Sequence, residues 1–197
     1  MLWLSACGFT GSPEVIDATP AEADVVIDAP EIDAPDGPGP DLCAMNVAAC
    51  TARNGTCVAG ACRIEENANV GIMCPSGMPC VAICDGATAC QTNGVQCVGA
   101  TTCDVTCRGS SACQDRGVEC GAAVVCTVVC DGASACQNGN GSDVSVECGN
   151  SICTVTCMGS GSTCQEGIDP GGGSCASHCC DGACGGGVCP TNDTSCP

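Results

Sequence analysis

From Ile72 onward, apolar and polar residues alternate in short bursts. One series ends Ile72-Met73-Cys74, Val95-Gln96-Cys97, Val118-Glu119-Cys120 and Val146-Glu147-Cys148. A second ends Ala82-Ile83-Cys84, Val105-Thr106-Cys107, Val128-Val129-Cys130 and Val155-Thr156-Cys157. Alternate side chains of a strand share a face, so Val and Cys of each triplet point one way and the middle residue the other. The pattern predicts two short strands per unit around an interior of Val and Cys. A turn follows the second strand each time: CDGATACQ, CRGSSACQ, CDGASACQ and CMGSGSTCQ. The glycine at its third position (Gly86, Gly109, Gly132, Gly159) predicts a corner with positive φ.

The alternation sits inside a repeat. Cys74, Cys80, Cys84 and Cys90 recur as Cys97, Cys103, Cys107 and Cys113, then as Cys120, Cys126, Cys130 and Cys136, each step being 23 residues. A fourth copy, Cys148, Cys153, Cys157 and Cys164, follows a five-residue insertion at about Asn138–Asp143, with one internal residue lost and one gained. Such a period points to stacked supersecondary units. The expected fold is mostly β: a disulfide-stapled parallel β-solenoid of about four coils, each stacked about 4.8 Å above the last. A string of separate disulfide knots is the alternative, and the alternation favours the solenoid. Open solenoid ends expose unpaired backbone, so caps are expected. A four-cysteine module over 42–66 (Cys43, Cys50, Cys57, Cys62, with an Asn54-Gly55 turn) and a six-cysteine module over 169–197 flank the solenoid at 67–168 and suit that role.

Composition explains why cysteine must carry the fold. The only aromatic residues are Trp3 and Phe9, whereas the chain holds 27 cysteines. That density marks a disulfide scaffold and implies an oxidising compartment. Setting Cys7 aside, the cysteines fall into blocks of four, sixteen and six, all even. Spacing does not dictate connectivity. The repeated Cys-x5-Cys loops favour bonds such as Cys97–Cys103 and Cys107–Cys113, with pairing between coils as the rival.

Charge removes whole classes of partner. Four arginines and no lysine face 22 carboxylates, for a net charge of −18. A nucleic-acid backbone would be repelled, and the same repulsion argues against docking on anionic lipid through basic patches. Nine of the carboxylates and no basic residue lie in Gly8–Asp41, where Ile-Asp-Ala recurs at Ile16, Ile27 and Ile32. Proline and self-repulsion make residues 8–41 an extended, disordered tether. Ahead of it, residues 1–7 are too short to span a bilayer. Leu4-Ser5-Ala6-Cys7 resembles a bacterial lipobox, in which a peptidase that needs small residues cuts before a cysteine whose thiol carries diacylglycerol. The basic n-region and most of the apolar h-region of that pattern are missing, which points to a truncated signal with a start codon upstream. Gly8 in the following position implies outer-membrane sorting.

Other chemistry is sparse. Zinc-type Cys-x2-Cys spacing does not occur, and the best metal candidate, Cys175-Ala-Ser-His178-Cys179-Cys180, holds the single histidine in an otherwise oxidised module. Asn138–Asp143 resembles the start of a calcium loop but lacks the acidic first ligand and the closing Glu. Sequons at Asn54, Asn140 and Asn192 matter only in a eukaryotic source. One His and no Lys or Tyr leave no base to pair with a nucleophile, so no enzyme and no cofactor are expected. Ice binding needs a regular outward Thr array, and the outward column Ile83, Thr106, Val129, Thr156 is irregular.

Taken whole, the chain resembles the cysteine-rich repeat surface lipoproteins of myxobacteria and related deltaproteobacteria. The likeness rests on the Leu-Ser-Ala-Cys box, the Asp-Ala-Pro tether and the Cys/Gly repeats, and covers nearly the full length. It implies lipid attachment at Cys7, a membrane partner through that anchor, and an outer-membrane, cell-surface location. The function expected is a non-enzymatic structural or adhesive protein whose rod meets an unknown extracellular protein or glycan. The alternative is a soluble, extracellular cysteine-rich binder or inhibitor.

Overall fold

The computed structural model describes residues 40–137, 144–159, 163–165 and 167–179. Cys7, the acidic segment through Gly39, the insertion at 138–143, the His178 side chain and the residues from Cys180 onward lie outside the described residues.

Each coil supplies one two-residue strand and one long strand. The short ones are β3 (Ile72–Met73), β5 (Val95–Gln96), β7 (Val118–Glu119), β9 (Val146–Glu147) and β11 (Ile168–Asp169), which form a five-stranded sheet in that order. The long ones are β4 (Cys80–Asp85), β6 (Thr102–Arg108), β8 (Val125–Asp131), β10 (Ile152–Met158) and β12 (Ser174–Cys179). Ahead of them in the same sheet come β1 (Thr56–Val58) and β2 (Ala61–Glu66), making it seven-stranded. Every pair is parallel except the β1–β2 hairpin. This is the parallel β-solenoid that the period and the alternation predict.

Register is set by the repeat itself. Each residue pairs with its counterpart one coil along: Ala82 with Val105, Val105 with Val128, and Val128 with Val155. Ile72, Val95, Val118, Val146 and Ile168 form the facing column. Val95, Val118, Val128, Val146 and Val155 are each at most 2% exposed. A slip of one residue would turn every one of them to solvent, so the alternation locks the pairing. Alanines Ala89, Ala112 and Ala135 fill the corners, also fully buried. The interior is thin because, among the described residues, it is filled mainly by Val, Ala and Cys, with Met78 and a few Ile as its largest side chains.

The bridges close within coils. Cys74–Cys80, Cys97–Cys103, Cys120–Cys126 and Cys148–Cys153 form one column. Cys84–Cys90, Cys107–Cys113, Cys130–Cys136 and Cys157–Cys164 form the other. Their Cα–Cα separations of 5.8 to 6.3 Å are ordinary for disulfides. Covalent closure therefore runs around each coil, and backbone hydrogen bonds run between coils. Separate knots would lack the second set of bonds.

The flanking segments join the sheet. Helices α1 (Leu42–Met45) and α2 (Val47–Thr51) are tied to β1 and β2 by Cys43–Cys57 and Cys50–Cys62, with Asp41 capping α1 through its Ala44 N–H at 2.8 Å. β2 pairs in parallel with β4, Cys62 lying opposite Cys80. At the far end β12 sets Cys175 opposite Cys153 and Ser177 opposite Val155. The parallel pairing thus runs on through 168–179, beyond the expected boundary at 168. Cys62-Arg63-Ile64 and Cys175-Ala176-Ser177 keep the alternation, with Ile64 and Ser177 buried two residues after the cysteine, which lets them satisfy the edges they cover.

Candidate functional site

The corner of each coil is built from two unusual backbones. Gly109 (φ 120°) and Gly132 (φ 152°) occupy a region that suits glycine. A Cβ on Gly109 would run into the carbonyl of Gly86, and one on Gly132 into that of Gly109. The sequence singled out this corner; it did not reveal the next. Cys90, Cys113, Cys136 and Cys164 are left-handed as well, with φ of 53, 54, 53 and 49°. Such a conformation costs a non-glycine residue free energy, of order 1 kcal/mol or more. Here each cysteine is held by its bridge and by an N–H bond to the preceding coil, as in Cys136 N to Ala112 O at 2.8 Å.

The glutamine after each of those cysteines makes a ladder. Gln91 donates to Gln114 at 3.1 Å, Gln114 to Gln137 at 3.3 Å, and Gln137 to Gln165 at 2.8 Å. Identical amides stacked at the coil spacing satisfy one another, as in other stacked parallel strands. The recurrent Cys-Gln dipeptide was the visible signal.

Sulfur atoms crowd along both columns. Cys74, Cys97 and Cys103 have their Sγ atoms within 4.8 Å of one another, as do Cys107, Cys113 and Cys136. All are disulfide-bonded, so they offer no thiolate to a metal in this state. On the outer face of the long sheet, Ile83, Thr106, Val129 and Thr156 stand in line, half-buried and unequal in character. Beside them Arg108 sits in register between Asp85 and Asp131, which places opposite charges next to each other.

The outer face of the short sheet carries a concave feature. Two adjoining hollows of about 410 and 360 Å³ share Arg53, Met73, Gln96 and Arg116 as walls. Arg53 comes from the turn after α2; Met73 and Gln96 are the outward residues of β3 and β5; Arg116 precedes β7. With its amide oxygen turned inward, Gln96 accepts from Arg116 Nη2 at 2.8 Å and Nε at 3.2 Å. Glu119 adds a longer contact to Arg116 at 3.9 Å. Arg53 has no ion pair among the described residues. Two of four arginines in a chain of charge −18 therefore face one trough. Nothing in the local sequence joins Arg53 to Arg116, because stacking of the coils on the cap brings them together.

No protein-family profile, curated protein or solved structure matches the chain.

Proposed function

We propose that this is a non-enzymatic, lipid-anchored surface protein that holds a rigid disulfide-closed rod away from the outer membrane and presents it to extracellular partners. The observation that carries this reading is the architecture. Two bridges in each coil, in-register ladders between coils and a Val/Cys interior make an element suited to mechanical presentation. A solenoid of this kind is a structural part, and its sides are regular surfaces on which contacts can be arrayed. The lipobox-like Leu4-Ser5-Ala6-Cys7 and the acidic, proline-rich composition of residues 8–41 support the anchor and the spacing. One histidine and no lysine or tyrosine in the chain support the absence of catalysis.

Metabolic labelling with a fatty acid in a bacterial host tests the anchor, using a chain preceded by its upstream coding sequence. Label on the wild type, lost in Cys7→Ala, is expected. An unlabelled, freely secreted protein would favour the soluble binder instead. Coating beads with the rod and counting cells retained tests adhesion independently of lipid.

A further inference from the structure

The trough on the short-sheet face has the character of a ligand site rather than of a solvated edge. Its walls combine two guanidinium groups with the exposed thioether of Met73, 47% accessible, and the aliphatic Val70 and Val98, each 53% accessible. Arginine forks match carboxylates in a bidentate geometry; Gln96 takes the Nη2 and Nε donors of Arg116 and fixes its plane, so the bidentate fork offered to a ligand is that of Arg53, with Arg116 adding charge beside it. The hollows lie within the size range of sites for small ligands or peptide side chains. Two guanidinium groups against the one carboxylate of Glu119 still leave the trough cationic on an otherwise acidic molecule. A long polyanion would meet the repulsion of the surrounding carboxylates, whereas a ligand with one or two carboxylates feels mainly the nearby arginines, since charges beyond about 8 Å are largely screened at physiological salt. Among the described residues no aromatic ring lines the trough to stack on a sugar face, and its apolar patches suit aliphatic side chains.

We infer that the trough binds an extended acidic peptide segment of a partner protein, with a carboxylate at Arg53 and Arg116 and an adjacent apolar side chain over Met73. This deepens the proposed function, since it names the chemistry of the extracellular partner, and it rests on that reading for its biological setting alone. The binding site itself is a property of the folded coils.

The test uses the full chain and a short, blocked, fluorescently labelled peptide in which two Glu alternate with Leu, followed by anisotropy. Saturable binding is expected, weakened about tenfold or more in Arg53→Gln and in Arg116→Gln, as for loss of a hydrogen bond to a charged group. Arg63→Gln, which removes an arginine paired to Glu65 on β2, should bind as the wild type does. Replacing Glu by Gln in the peptide should cost as much as removing an arginine, and replacing Leu by Ser should also weaken binding. Intact mass confirms that each variant retains its bridges. Absence of saturable binding, equal loss in Arg63→Gln, or preference for an oligouronate of similar charge would overturn the inference. Bead adhesion that persists while peptide binding fails would sink this site and leave the surface role standing; peptide binding without adhesion would do the reverse.

Discussion

The Sγ atoms of Cys74 and Cys103 lie 3.7 Å apart, although each is bonded to a different sulfur, Cys80 and Cys97 respectively. Neighbouring bridges are thus almost in contact along the column. If Cys74–Cys80 is reduced, the Cys74 thiolate can attack Cys103, forming Cys74–Cys103 and releasing the Cys97 thiolate. Treatment with substoichiometric phosphine, then alkylation and peptide mapping, should reveal that cross-coil linkage beside the within-coil ones. Recovery of Cys74–Cys80 and Cys97–Cys103 alone after such treatment would show that the coils hold their sulfurs apart.

Complete reduction should unfold the solenoid. A six-residue loop contributes about 2 kcal/mol on the chain-entropy model, so the ten bridges between described cysteines amount to roughly 20 kcal/mol. That exceeds the usual 5–15 kcal/mol of a folded domain, taken as an approximate range. Far-UV circular dichroism of the reduced, alkylated protein should lose its β signal at ambient temperature. A retained sheet would mean that the Val interior suffices alone.

Val128 and Val129 are neighbours with opposite roles. Val128 is fully buried and Val129 points outward from β8. Val128→Ala should lower stability by about 2 kcal/mol through lost burial and a small cavity, and Val129→Ala by less than about 1 kcal/mol. Denaturant melts of the oxidised protein measure both. Equal losses would contradict the register.

The corner glycine offers a sharper contrast. Gly109→Ala combines a strained φ with a clash against the Gly86 carbonyl, whereas Gly77 (φ 76°) has nothing within 4 Å of its Cβ position. Strain alone should cost Gly77→Ala about 1 kcal/mol, and Gly109→Ala should cost about 2–3 kcal/mol or fail to form its full set of bridges. Thermal melting and intact mass read the two outcomes.

Gln114 both donates and accepts in its ladder, whereas Gln91 only donates among its neighbouring glutamines. Gln114→Ala should therefore destabilise by about 1–2 kcal/mol, and Gln91→Ala by about half that. Hydrogen exchange should rise at the Cys113–Gly117 corner in the first variant.

The parts of this molecule that were legible in the sequence are those fixed by local pattern. Val105 and Cys107 share a face because they are two residues apart, and the recurrence of Gly109 marks a corner whatever the rest of the coil does. Parallel stacking followed from repetition of both. The left-handed Cys113 was hidden because cysteine has no intrinsic preference for that conformation; its bridge and the coil below impose it. Strand pairing of Cys62 and Cys175 with the coils was hidden too, since those segments break the 23-residue spacing while keeping the inward rhythm. Arg53 and Arg116 are brought to one trough by stacking alone, and no periodicity records that. Cys7, where lipid attachment is proposed, and the acidic segment after it lie outside the described residues, and that proposal rests on their sequence.

Because both bridges of a coil close within it, a coil is covalently self-sufficient. A duplicated stretch of 23 codons would insert one more turn without leaving any cysteine elsewhere short of its mate. Each added coil would lengthen the stack by about 4.8 Å, so its length is set by copy number and needs no redesign of the coils already there.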